Sequence, residues 1–312
     1  MRATARESSG DYSTAERLYL RSLHSLRSSK SSVTPDALRL SGLLGLGSIC
    51  VRRGRYPQAQ KLYSKARALA QASFGAKSFE MMSVLNAQGV LCKFIGRLDA
   101  AEHFYNEALR IGARILGRDH LELASLYHNL GGLEHSRGRF RRAEPFARRS
   151  ARIREKALGP AHPDVAADLA ALAAILDGQG KYVKAEKLYK RALGVFRRVY
   201  GPDHYEIAVN LGNLAANRQG MGKYQEAERL YRQALAMHEK VLGSGSLDAA
   251  IVQNNLGKLL TRRGRPGEAL PLHKAALGDF ERCLPPSHPH LKKVRKNLRE
   301  AARELAANQH PS

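Results

Sequence analysis

The segment GKYVKAEKLYKRAL at residues 180–193 returns, little altered, as GKYQEAERLYRQAL at 222–235. It belongs to a series in which a glycine is followed two residues on by an aromatic or apolar residue and then by an alanine. The members are GDYSTAE at 10, GRYPQAQ at 54, GRLDAAE at 96, GRFRRAE at 138, GKYVKAE at 180, GKYQEAE at 222 and GRPGEAL at 264. The first interval is 44 residues and every later one is 42. Two further markers keep the same step: Gly75, Gly117, Gly159, Gly201 and Gly243, and the series His120, His162, His204 and, after Ser246, His288. A chain with such a short fixed period buries its apolar surface between neighbouring copies, and so reads as a repeat array.

Each period spells two helices. From Tyr182, apolar or small residues recur at Ala185, Leu188, Tyr189, Ala192, Leu193 and Val195, while Lys184, Lys187, Lys190 and Arg191 stay outside that face. Val165, Leu169, Leu172, Ala173 and Leu176 form the same pattern ahead of Gly180. Gly180 is therefore expected at the turn of an antiparallel pair, where positive φ is needed, and Gly159 and Gly201 just past helix ends. Pro163 and Asp164 suit a first helical turn. The alanines 185, 192, 227 and 234 let neighbouring helices approach closely.

Composition narrows the classes. The 312 residues are 43% apolar but only 6% aromatic, with no Trp, so the core must be built from Leu, Ala, Val and Tyr. No apolar run approaches the ~20 residues of a membrane helix, and the start, MRATARESSGDY, lacks the apolar stretch of a secretory signal. Cys50 and Cys92 occupy equivalent places in adjacent repeats, too far apart to pair, and Cys283 ends the last repeat. Three reduced thiols and no membrane segment point to a cytoplasmic protein.

The run LGNLAANRQGMGKYQEAERLYRQALAMHEKVLG, with GPDH before its first helix, resembles the tetratricopeptide repeat in the 42-residue form of kinesin light chains and their bacterial relatives. The resemblance covers roughly residues 10–284 and implies an all-α, right-handed α-solenoid of antiparallel helix pairs. It departs at GLGSIC in the first full repeat, at AALAA in the fourth, and at Pro266-Gly267 where a second helix should begin. The expected organisation is a half-repeat helix in 1–33, six repeats in 34–284, and a capping helix and tail in 285–312. The cap places Leu291, Val294, Leu298, Ala301 and Leu305 on one face. The opening helix has no partner unless residues 2–9 supply one, or the chain is part of something longer.

The resemblance also implies that the first helices line a concave face that docks a partner's peptide segment. Counting back from each turn glycine, the ninth position holds Asn129, Asn213 and Asn255, and the tenth holds Asn86, His128 and Asn254. In related repeats an Asn at the ninth position grips the backbone of an extended peptide, since an amide both donates and accepts. Lys258, Lys93 and His135, six and three residues before the glycine, and Arg52 and Arg262, two before it, add positive charge; Asp177 is the lone acid of this set. An acidic ligand, or a free C-terminal carboxylate, is therefore expected.

The net charge of +24 supports an alternative, a solenoid that binds nucleic acid or another polyanion. Its basic runs are VRRGR (51–55), RGRFRR (137–142), ARRSARIR (147–154) and KKVRK (292–296). Against it, tyrosines such as Tyr182, Tyr189, Tyr224 and Tyr231 sit at core positions, leaving few rings to stack on bases, so only weak non-specific attraction is expected. No nucleotide-binding, nucleophile-elbow or HExxH signature appears, and the repeated histidines would lie about 10 Å apart, too far to share an ion. The reading is a non-catalytic adaptor without cofactor or metal.

Overall fold

The computed structural model describes residues 12–25, 35–243 and 245–309. Every regular element in them is helical: α1 (Tyr12–Ser25), α2 (Pro35–Arg52), α3 (Tyr56–Ser73), α4 (Phe79–Phe94), α5 (Leu98–Leu116), α6 (Ala124–Ser136), α7 (Phe140–Leu158), α8 (Pro163–Gly178), α9 (Tyr182–Tyr200), α10 (Tyr205–Gly220), α11 (Tyr224–Leu242), α12 (Leu247–Arg262), α13 (Pro266–Cys283) and α14 (Pro289–Gln309). A 3-10 turn, Leu121–Leu123, leads into α6. These are stacked antiparallel pairs of α-solenoid type. They fall into two compact units, one reaching to Leu133 and the other beginning at Glu134. Residues 2–9, considered above as a partner for α1, lie outside the described residues.

The turn glycines work by conformation rather than by space. At Gly180 φ is +75° and a Cβ would meet nothing within 4 Å. Its N–H donates to the Asp177 carbonyl and that of Lys181 to the Leu176 carbonyl, both at 2.9 Å, the paired bonds that close a helix end on a left-handed residue. Gly201 ends α9 with a positive φ as well, at +80°. Several glycines inside the helices have the opposite reason. A Cβ on Gly89 would lie 2.5 Å from the Tyr105 ring, so the repeat's buried tyrosine packs on bare backbone.

Helix starts explain the histidine series. Nδ1 of His120, His162, His204 and His288 each accepts from the backbone N–H two residues on, at 3.1–3.3 Å, and Ser246 Oγ accepts from the Ala249 N–H three residues on, at 3.2 Å. The repeated histidine is thus an N-cap, a role that serine fills at Ser246 and, one period before His120, at Ser78. Pro266 takes the first position of α13, where its missing N–H has no helical partner to lose, so the Pro-Gly departure does not stop the helix.

In the unit from Glu134, α8 contributes Val165, Ala166, Leu169, Leu172, Ala173, Ile175 and Leu176 to the interior, being covered on several sides, whereas α9 buries one stripe, Ala185, Tyr189, Ala192 and Phe196. Their cluster continues through Leu211, Leu214, Tyr231 and Leu256 to Ala301 of α14. In the unit up to Leu133, Tyr19 packs with Leu46 and Ile49, and Tyr63 with Cys50, Val51 and Leu91. Cys50, Cys92 and Cys283 are free thiols, each with its pKa pushed up by burial. Among the described residues no helix is long and apolar enough to cross a membrane.

Candidate docking surface

The residues counted back from the turn glycines come to different ends. In the unit up to Leu133, Asn129 Nδ2 on α6 donates to Asn86 Oδ1 on α4 at 2.8 Å. The two amides bond each other, leaving Asn129 Oδ1 and Asn86 Nδ2 for other partners. Lys93, one to two turns further along α4, is half-buried, and its Nζ would lie 2.8 Å from a Cβ on Gly132. Burial lowers its pKa, and no acid is paired with it among the described residues. His128 is half-buried on α6 and Arg52 is exposed at the end of α2.

In the unit from Glu134, Asn213 on α10 and Asn255 on α12 hold the same repeat position. Both are half-buried, and among the described residues neither side chain makes a hydrogen bond. Lys258 and Arg262 follow Asn255 at i+3 and i+7, on one stripe of α12, and both lack an ion-pair partner among the described residues. His135 lies edge-on to Phe140, with ring centroids 5.4 Å apart.

Asn254 departs from the expected groove. It is 4% exposed, and its Oδ1 faces His273 Nδ1 at 3.0 Å and accepts from Asn297 Nδ2 at 3.0 Å. One residue is a 100° rotation on a helix, which carries Asn254 into the contact between α12 and its neighbours while Asn255 stays on the surface. Asp177, the lone acid, is absorbed likewise. Asn217 Nδ2 donates to its Oδ1 at 2.7 Å, and burial raises its pKa to about 6 against the Asn217 and Tyr189 hydrogen bonds.

Several basic residues read as outward charge are anchored within their own unit. Glu16 pairs with Arg53 at 3.0 Å and with Arg55 at 2.8 Å. Glu134, 3% exposed, binds Arg137 at 2.9 Å and has Arg142 at 3.3 Å. Glu228 accepts from Arg263 and, at 2.8 Å, from Arg265, and Glu144 accepts from Gln179 at 2.8 Å and Lys181 at 3.4 Å. Burial works against the Glu228 carboxylate, yet hydrogen bonds from Arg232 and Arg265 outweigh it and hold its pKa low. The signal lies in the repeat: the Glu of each Ala-Glu pair at 144 and 228 meets a basic residue 37 positions later, at the next turn. A second network had no such signal. Buried Asp168 accepts from Ser150 Oγ and Arg154 Nη1, each at 2.8 Å, and it occurs once.

The arrangement offers amide groups and unpaired cations on a helical surface, which suits reversible capture of a polar chain. No group of three or more His, Cys, Asp or Glu side chains able to hold a metal ion is found among the described residues. No curated protein matches the chain by sequence. Solved structures of similar fold include a Rap protein complexed with Competence and Sporulation Factor, with 15% identity, TM-score 0.73, 99% of this chain and 86% of that one. NprR in complex with its cognate peptide NprX is similar at 14% identity and TM-score 0.69, over 99% and 87%. BtubC (BKLC) from P. vanneervenii is similar at 20% identity and TM-score 0.59, over 74% and 92%. The tetratricopeptide repeat profile matches at 38–113, 96–156, 122–198, 166–240 and 206–282, and with the stacked helix pairs this places the chain in the tetratricopeptide repeat family.

Proposed function

We propose that this protein is a non-catalytic adaptor that docks an extended, acidic segment of a partner polypeptide on the first helices of its pairs. The observation that carries the reading is the pair Asn213 and Asn255. They are equivalent residues of α10 and α12, half-buried and without hydrogen-bond partners among the described residues. An amide held this way can satisfy one N–H and one C=O of a peptide unit without reading its side chain. Lys258 and Arg262 beside Asn255 supply the preference for carboxylates, including a chain terminus. Two structures of similar fold are complexes, one with Competence and Sporulation Factor and one with a cognate peptide, which supports a polypeptide as the ligand. In the other unit, Asn86, Asn129, Lys93 and His128 offer a second patch of the same chemistry, to which Arg52 adds charge, while His135 adds an imidazole to the unit from Glu134.

The polyanion alternative loses part of its basis, because Arg53 and Arg55 of one basic run are paired to Glu16 and Arg137, Arg139 and Arg142 of another to Glu134. The test is a pull-down at low and high salt with the wild type and the double variant Asn213→Ala, Asn255→Ala. Bound polypeptides should persist at high salt with the wild type and be lost with the variant, while thermal melting is unchanged. Retention of every partner by the variant, or capture only of nucleic acid that washes off with salt, overturns the reading.

A further inference from the structure

The chain carries 52 lysines and arginines against 28 acids, and pairing spreads the excess unevenly. At several turns the basic residues are held by Glu16, Glu134, Glu144 and Glu228, as described above. On α12, and on the side of α14 that faces it, they are not. These two helices run parallel: Ala250 packs with Leu291 and Val294 near their starts, Asn254 bonds Asn297 midway, and Leu260 and Ala301 share a core near their ends.

That register gives α14 two polar stripes. Lys292, Arg295 and Arg299 form one, and Arg295 Nη2 donates from it to Glu281 Oε1 of α13 at 2.8 Å. Lys293, Lys296 and Glu300 form the other, on the side of α12. The charges that act on the Lys258 amine are those of Arg262, Lys293, Glu300 and Lys296, and burial together with the three cations lowers its pKa. Lys258 is half-buried and the other three cations are exposed. Among the described residues none of the four has an ion-pair or hydrogen-bond partner. Three cations acting on a fourth, with a single acid among them, repel one another until an anion enters.

We propose that Lys258, Arg262, Lys293 and Lys296 form a phosphate-binding site for a phosphorylated residue of the docked polypeptide. A carboxylate brings one charge, whereas a phosphomonoester brings about −1.5 to −2 and three acceptor oxygens, a closer match to three ammonium groups and a guanidinium. Asn255 stands one turn before Lys258 on the same stripe, so a segment gripped there runs directly onto the cations. The two stripes carry no aromatic side chain on which a base could stack, which favours a phosphopeptide over a single-stranded nucleic acid. The source of the phosphate rests on the docking reading; the site itself does not.

The test is fluorescence anisotropy with the full chain and three labelled probes: a Gly-Ser decapeptide holding two adjacent phosphoserines, the same peptide with two glutamates, and a decameric oligothymidine. The proteins are the wild type, Lys293→Gln with Lys296→Gln, Lys184→Gln with Lys187→Gln as a control of equal charge on exposed positions of α9, and the Asn213, Asn255 double variant. The wild type should bind the phosphopeptide at least about tenfold tighter than the glutamate peptide, and the α14 variant should lose at least about tenfold. The α9 control should stay within about twofold, as remote exposed charges do in salt. No binding of the phosphopeptide, equal binding of the glutamate peptide, or equal losses in both lysine variants overturns the site. Equally tight oligothymidine binding with the same variant dependence overturns the polypeptide source. Phosphopeptide binding lost in the α14 variant but kept in the asparagine variant upholds the phosphate site and removes the groove reading.

Discussion

Ala185 and its counterpart Ala227 have no exposed surface, and each sits where one helix of a pair crosses close to another. Replacing Ala185 with Leu adds three carbon atoms to a filled site, and the expected loss is about 1–3 kcal/mol, measured by urea denaturation. Binding surfaces are untouched by this change, so it separates stacking from docking. Such residues were legible in the sequence because every copy repeats them. Asn254 was not, although it lies one place from Asn255 in the same Asn-Asn pair. Which member of the pair points inward depends on where α14 packs, and α14 approaches through Asn297. His273 has the same history: it takes the place of Tyr189 and Tyr231 in the repeat, and its buried ring finds Asn254 instead of lying alone.

At the scale of the helix pair, the glycine turn, the histidine cap and the Ala-Glu anchor form one unit of construction. Glu228 ties α11 to the turn between α12 and α13 through Arg263 and Arg265. Glu228→Gln keeps the shape and removes the charge. Its arginine partners are a quarter to a third exposed, so screening trims the effect, and the expected loss is about 1–2 kcal/mol. Differential scanning calorimetry should show the lowered melting temperature, and hydrogen exchange should quicken at the turn around Gly264. The helical repeat was readable from periodicity, since the turn glycine and the alanine after it recur in every copy. The anchor was not read, because it links residues 37 apart and each half looks like ordinary surface charge. The Ser150–Asp168–Arg154 cluster lay further out of reach: it has no copy in the other repeats.

Across the whole molecule, acidity should act through buried and half-buried imidazoles. Burial, with neighbouring charge on His288 and Lys293, pushes His290 down to about 4 from an ordinary 6.5. Desolvation likewise lowers His204, His238 and His273. A group whose folded pKa lies below its unfolded value gives stability that is complete above the unfolded value and is lost as pH falls through the folded one. Asp177 works in the opposite sense, since its folded carboxyl titrates near 6 rather than 3.8 and gains stability as pH falls. Four histidines outweigh one aspartate. The melting temperature should therefore fall steadily between about pH 6.5 and 4, and a flat or rising profile would contradict this balance.

The claim on which the functional account turns is that Asn213 and Asn255 grip a partner's backbone. Polypeptides retained at high salt by the wild type and by the Asn213→Ala, Asn255→Ala variant, quantified by mass spectrometry alongside matched melting curves, test it most directly. The account predicts that the retained polypeptides disappear with the variant while the melting curves coincide. The same polypeptides at the same yield on both proteins would contradict it.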